Sequence, residues 1–267
     1  MSWPVMVFDI ESIPDVAGMR ALGLASGADD AQAYAAWAAQ RAADGKSDFA
    51  PLHLQRVLVI SCVFRNAEGL RIHSFVDREP EGVSQEGRII QTFFNTVEKH
   101  IPQLVSWNGG GFDLPVLHYR GMQHGVVASK YWDMGEGGDH DSREFKWNNY
   151  IGRYHMRHLD LMDLLAMYSP KNNAPLDSLA KLCGFPGKLG MDGSAVYGAY
   201  REGKLEDIRR YCETDVMNTY LLYCRFQKMR GGLLEAEYAQ EIERVKTTLA
   251  ELAGSEPHWQ QYLDAWA

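Results

Sequence analysis

The chain has 267 residues, of which 46% are hydrophobic and 23% charged, an ordinary globular balance that suits one sizeable α/β domain. A net charge of −8 argues against broad duplex binding through a basic surface, although bound divalent cations would reverse the local sign of an acidic site. No apolar run approaches the roughly 18–20 residues of a membrane span. The chain opens Met1-Ser-Trp-Pro without a basic region leading into an apolar one, and its four cysteines (Cys62, Cys183, Cys212, Cys224) make no C-x-x-C pair, so a cytoplasmic protein with free thiols is expected.

Val5-Met-Val-Phe-Asp-Ile10 is short, apolar and β-branched, and reads as a buried strand. Asp29–Ala43 is rich in alanine and reads as a surface helix inserted before the second strand. Arg56–Phe64 and Leu70–Val76 read as the next two strands, joined by a hairpin turn at Asn66-Ala-Glu-Gly69. Ile89, Ile90, Phe93, Phe94 and Val97 recur at helical spacing over Ile89–Glu98. Leu104–Trp107 reads as a further short strand running into Asn108-Gly-Gly-Gly111. A helix is expected from Leu114 to Gln123, with Pro115 tolerated in its first turn. Lys130–Ile151, with Gly135-Glu-Gly-Gly138 and His140, is loop-like. Helices are then expected over Leu159–Tyr168, Leu176–Leu182, Ser194–Glu202, Leu205–Met229 and Glu235–Ala253, with a last one near Trp259–Trp266. Strands first, then mostly helices, imply an α/β fold with a mixed sheet and helices packed around it.

Three short segments carry chemistry. In Asp9-Ile10-Glu11, strand alternation points both acids to one face and Ile10 to the other. Adjacent carboxylates repel and call for a cation. Composition alone supplies about one D-x-E pair in such a chain, so in isolation a polar strand end is the favoured account of it. Asn108-Gly-Gly-Gly-Phe112-Asp113 turns a strand into a helix. The helix dipole and the glycines account for Asp113 there, but not for Phe112 beside it. Tyr211-Cys-Glu-Thr-Asp215 places a phenol and a carboxylate four residues apart on one helix face, a pair that chance also supplies about once. The weight lies in the order: D-x-E on the first strand, N-x-x-x-F-D at a strand-to-helix turn, Y-x-x-x-D on a late helix.

This ordered set resembles the three exonuclease motifs of the DEDD superfamily, tyrosine subtype, and is most similar to the proofreading domain of family-B DNA polymerases. The likeness is carried by Phe8-Asp-Ile-Glu11, Asn108-Gly-Gly-Gly-Phe-Asp-Leu-Pro115 and Tyr211-Cys-Glu-Thr-Asp215, and spans Val5 to Arg230. The chain has no room for a polymerase domain. It looks like the stand-alone predicted PolB-like exonucleases of bacteria, a group that Pro186-Gly-Lys-Leu-Gly-Met-Asp-Gly-Ser194 also resembles. Arg210 stands where the histidine subtype has its histidine.

The resemblance implies a ribonuclease H-like mixed sheet flanked by helices, in one exonuclease domain over residues 1–267, with an Ala-rich helical insertion near residues 15–50 and a C-terminal helical extension from residue 233. It implies two ions, Mg²⁺ or Mn²⁺, about 3.5–4 Å apart, clamping the scissile phosphate of single-stranded DNA ends and releasing nucleoside monophosphates. Asp9 would bridge the ions, Glu11 and Asp215 would hold the one that binds the attacking water, and Asp113 the other. Tyr211 would orient the water, a phenol with pKa of about 10 being a poor base at neutral pH.

Ser12 and Asn108 are candidate contacts to the terminal nucleotide. Phe112 is a base contact or a core residue, and Lys188 a phosphate contact or a solvated loop lysine. Asp160 is a candidate support for the site, Asp163 a surface residue, and His155 and His158 structural histidines without a zinc pattern. A ribonuclease D-like exoribonuclease shares the same tyrosine motif, and a catalytically silent nuclease fold acting as a binding module is an alternative of another class. A phosphatase with a strand-end D-x-D/T nucleophile is disfavoured by Glu11.

Overall fold

The computed structural model describes residues 4–79, 82–136 and 143–266. The chain's opening Met1-Ser-Trp, and Gly138 and His140 of the expected loop, lie outside the described residues. The strands are β1 (Val5–Pro14), β2 (Gln55–Asn66), β3 (Gly69–Val76), β4 (Gln103–Ser106) and β5 (His158–Asp160). They form one mixed sheet in the order β3-β2-β1-β4-β5. The first three strands are antiparallel neighbours, with β2 and β3 joined as the expected hairpin, whereas β4 and β5 run parallel to β1. With helices on both faces this is a ribonuclease H-like α/β fold.

Alternation along β1 sorts its side chains between two cores. Met6, Phe8 and Ile10 pack with Ile89, Ile90, Phe93, Leu114 and Leu117, which belong to α3 (Glu86–His100) and α4 (Asp113–His124). Val5 and Val7 pack on the opposite face with Val216, Met217, Tyr220 and Leu221. Those four residues sit on the longest described helix, Leu205–Met229, which is buried along most of its length. Asp9 and Glu11 continue the Val5–Val7 face and so look toward that helix.

Among the described residues, six α-helices make up the second half: α5 (Leu161–Leu165), α6 (Leu176–Leu182), α7 (Val196–Arg201), then α8 (Leu205–Met229), followed by α9 (Glu235–Ala253) and α10 (His258–Asp264). Helix α9 is tied to the sheet by a buried pair, Arg65 with Glu241, the acid also accepting from Tyr220 at 2.6 Å. In the first half, α1 (Val16–Ala21) and the Ala-rich α2 (Asp30–Ala43) share a small core built on Met19, Trp37, Ala50 and Leu54. No described helix is long and apolar enough to cross a membrane.

The sequence expectation fails in one place that bears on the site. Leu159–Tyr168 was expected to be one helix, but His158–Asp160 is a strand and α5 begins only at Leu161. Asp160 ends the strand and caps the helix, its carboxylate accepting from the Asp163 N–H at 3.2 Å. A three-residue strand is too short to show alternation; its pairing with β4 makes it a strand.

Candidate active site

The site lies where β4 leaves the sheet. Pairing of β1 with β4 ends at Val7–Val105, so β1 continues past its parallel neighbour. The Ile10 N–H is taken up by the Asp113 carboxylate, Oδ1 accepting at 3.0 Å. That bond joins the first and second motifs across 103 residues of sequence. A register shift between Glu11 and Ser12 follows at once, Glu11 facing Val59 and Ser12 facing Val57. Bulges of this kind re-aim side chains next to functional sites.

The glycine turn sets Asp113. Asn108 adopts a left-handed conformation with φ of 66°. Its N–H and that of Gly110 donate to Asp160 at 3.0 and 2.8 Å. A Cβ on Gly111 would sit 2.6 Å from Asn108 Oδ1 and would push that side chain aside. Phe112 is half-buried, packs against the α3–α4 core and meets the exposed Phe49 ring at 6.0 Å between centroids. The Ser12 hydroxyl donates to Gln55 Oε1 at 3.1 Å.

Helix α8 brings the third motif. Tyr211 and Asp215 lie on one of its faces and Cys212 beside them, with Cys212 Sγ 3.6 Å from Asp9 Oδ2. Among the described residues, oxygens of Asp9 and Glu11 and the Cys212 sulfur lie within 4.8 Å of one another. Lys188 enters from the loop between α6 and α7. Its Nζ pairs with Asp215 Oδ2 at 3.0 Å, donates a short hydrogen bond to the Tyr211 hydroxyl, and lies over the Tyr211 ring at 4.9 Å. The loop is pinned at this lysine and at the residue before it. Asp177 Oδ1 accepts from the Lys188 N–H at 2.7 Å, and the Asn218 side chain both accepts from and donates to the Gly187 backbone.

Charge in this site is badly compensated. Burial holds the Asp9 carboxyl well above the usual range, and Asp113, Glu11 and Asp215 add to the effect while Lys188 opposes it. Glu11 is raised for the same reasons, burial first and Asp215 next. Burial pushes Asp113 up to about 7, against the opposing hydrogen bond from Ile10. Asp215 is raised by burial with Lys188 opposing. Burial disfavours the Lys188 ammonium, yet Asp215, Asp9 and Glu11 outweigh it and raise its pKa. Tyr211 is pushed far above the ordinary phenol range by burial, then by Asp215, Glu11 and Asp9.

The residues fit a divalent cation. Asp215 Oδ1 is buried with no hydrogen-bond partner among the described residues, an expensive state for a carboxylate oxygen. Four carboxylates raise one another's cost of ionisation around a single lysine, and a bound cation reverses that balance.

Asp9, Glu11, Asp113, Tyr211, Asp215 and Lys188 thus come together. Asn108 and Phe112 stand on the turn beside them. His155 and His158 point elsewhere: His158 Nε2 meets Ser106 Oγ at 2.9 Å, and His155 Nδ1 accepts from the Asn149 N–H at 3.1 Å. Arg210 turns away to Asp207 at 3.3 Å, and Asp163 pairs with Arg153 at the surface. Sequence reasoning missed Cys212, Asp177 and Asn218. For Cys212 a signal existed, since it lies inside the third motif. For the other two none did, because their partners are 11 and 31 residues away.

A family model described as predicted 3′-5′ exonuclease related to the exonuclease domain of PolB matches residues 47–266, most of the chain. The match contains the second and third motifs and Lys188; Asp9 and Glu11 precede it. No curated protein matches the chain.

Proposed function

The chain belongs to the family of predicted 3′-5′ exonucleases related to the exonuclease domain of PolB, and on that premise we propose that it trims single-stranded DNA from the 3′ end to nucleoside monophosphates. Members of this family are hydrolases of phosphodiester bonds acting on nucleic acid, and exonuclease domains of this kind depend on divalent metal. The observation that carries the reading is the convergence of Asp9, Glu11, Asp113, Tyr211 and Asp215, from three distant segments, around a buried carboxylate oxygen with no partner among the described residues.

Asp9, Glu11, Asp113 and Asp215 would hold two Mg²⁺ or Mn²⁺ ions. When bound, such a pair supplies Lewis-acid activation of water and neutralises the leaving 3′ oxygen. The protein's own groups do the positioning. Asp113 fixes β1 through the Ile10 N–H and would offer its carboxylate to the second ion. Tyr211 is buried, its phenol is held above the ordinary range by burial and by Asp215, and it would orient the attacking water through a hydrogen bond. Lys188, paired with Asp215 and Tyr211, is near enough to the site that it would be the cation to meet the scissile phosphate. Asn108 and Ser12 reach the terminal nucleotide, and Phe112 with Phe49 offers an aromatic rim to a base. In this reading the whole chain is one exonuclease domain, with α2 an insertion and α9 and α10 an extension.

The choice of DNA rests on the likeness to the PolB exonuclease domain. The test uses 5′-labelled single-stranded DNA and the matching RNA, with Mg²⁺ and with EDTA. Stepwise shortening of DNA with release of mononucleotides is expected, abolished by EDTA and in Asp9→Ala. Faster shortening of RNA would make the protein an exoribonuclease. Cleavage that persists in EDTA or in Asp9→Ala would overturn the mechanism.

A further inference from the structure

The turn Asn108–Gly111 also borders a cavity of about 580 Å³ that the mechanism does not use. Asn108, Gly110 and Gly111 line it, and two residues further on the same turn sets Asp113. Tyr131, Tyr150, Leu159 and Met162 are buried and give the cavity an apolar floor. Tyr154 and Tyr168 line its outer part, their rings edge to face with centroids 4.8 Å apart. Tyr154 is 71% exposed, so most of its ring is open to a ligand. Tyr168 reaches this position on a strained turn. Met167 and Tyr168 both adopt left-handed backbone, with φ of 53° and 59°, a conformation disfavoured for side chains of this size. The Tyr168 N–H donates to the Asp163 carbonyl at 2.8 Å, and the Arg153 guanidinium lies over the Tyr168 ring at 5.5 Å.

The charges of the cavity select its ligand. Arg153 is the only lysine or arginine among the described residues of the lining, and its Nε and Nη2 both donate to Asp163, at 2.8 and 2.7 Å. Asp160, the other carboxylate, already accepts from three backbone N–H groups. Burial pushes His118 and His158 down to about 4, so both imidazoles are neutral. A phosphate therefore meets no free cation here, and a cation no free carboxylate. Aromatic faces and neutral ring nitrogens remain, and they fit a flat, uncharged heterocycle. The volume lies within the roughly 300–1,000 Å³ of small-ligand sites.

We propose that this cavity binds an unpaired nucleobase of the strand being trimmed, next to the terminal nucleotide, with Tyr154 and Tyr168 stacking on it. The proposal rests on the reading of the chain as a nuclease of single strands. Continuity with the carboxylate site carries the choice of ligand. Asn108 lines the cavity and stands on the turn that sets Asp113, so a base in the cavity and a phosphate at the carboxylates belong to neighbouring positions of one strand. A base enters only when it is unpaired, so the cavity selects single-stranded ends over duplex ones. An aromatic side chain of a protein partner would use the same ring faces, and the test separates the two.

The test is a binding measurement that needs no cleavage. Fluorescence anisotropy follows the full chain carrying Asp9→Asn, in Mg²⁺, with short 5′-labelled single-stranded DNA and the matching RNA. An abasic nucleotide is moved one position at a time inward from the 3′ end. Affinity should fall about tenfold or more at one position within the last few nucleotides, the loss of one stacked base. Adding Tyr154→Ala, a surface change that leaves the core intact, should cost about as much with intact strands and cause no further loss at that abasic position. Tyr154→Phe should restore both the affinity and the abasic profile. An abasic profile unchanged by Tyr154→Ala, or one with no position at which a base is needed, overturns the proposal and leaves the cavity to a protein ligand. Should the expected profile appear while the unaltered chain releases no mononucleotide, the exonuclease reading alone fails. An active exonuclease with a flat abasic profile removes this site alone, and failure to bind either nucleic acid removes both.

Discussion

In the proposed mechanism each site residue carries a distinct duty, and single substitutions separate them. Asp9 has its charge opposed by three other carboxylates, so only a bound cation makes its ionised form comfortable. Asp9→Ala should lower kcat/KM at least about a thousandfold, several kcal/mol of transition-state stabilisation. Tyr211 is held as a neutral phenol by burial and by Asp215. Tyr211→Phe should lower kcat by about ten- to a hundredfold, the cost of losing an orienting hydrogen bond. A loss equal to that of Asp9→Ala in a steady-state assay would instead make Tyr211 the base. Asp160 acts one step back, bonding the N–H groups of Asn108, Gly110 and Asp163 at once. Asp160→Ala should cost about 1 kcal/mol in urea unfolding, a lost cap, and should reduce kcat more than it raises KM because the turn that sets Asp113 loosens.

At the scale of elements, the loop between α6 and α7 couples the far end of the molecule to the site. Tyr262 on α10 donates to Asn218 Oδ1 at 2.7 Å, Asn218 holds both sides of Gly187, and the next residue is Lys188. Gly187 has φ of 74°, and a Cβ there would lie 2.5 Å from Asp177 Oδ1. Gly187→Ala should therefore destabilise by more than about 1 kcal/mol and move Lys188 off Asp215. Thermal unfolding reads the first effect. The second appears as a higher KM for single-stranded substrate with an unchanged requirement for Mg²⁺.

For the whole molecule, the buried carboxylates tie stability to pH and metal. Asp113 stands at about 7 in the folded chain against an ordinary 3.8. The folded state thus favours its neutral form, so the stabilisation is fully present below about pH 4 and is lost as pH rises through about 7. Asp9, Glu11 and Asp215 are shifted the same way. In EDTA, the urea midpoint should fall from pH 5 to pH 8, and Asp113→Asn, neutral at both, should fall less. Adding Mg²⁺ at a hundred times its Kd should restore about 2.7 kcal/mol at pH 8, a rise in Tm of roughly 5–10 °C for a chain of this size. A midpoint at pH 8 insensitive to Mg²⁺ would count against the carboxylates as its ligands.

Read without its fold, the chain already determined its hairpin, its long helix α8, the alternation that turns Asp9 and Glu11 to one face, and the order of three motifs. These are local properties, periods of 2 and 3.6 residues and the chemistry of turns, and a sequence displays them directly. The tertiary structure alone decided three other things. It made a strand of His158–Asp160 by pairing it with β4. It set the Asp113 carboxylate on the Ile10 N–H, 103 residues away, where β1 outruns its neighbour. It pressed the Cys212 thiol against Asp9 and bent Lys188 back onto Asp215 and Tyr211. Each of these is a contact between distant segments, formed because a buried polar group must find a partner in space and not along the chain.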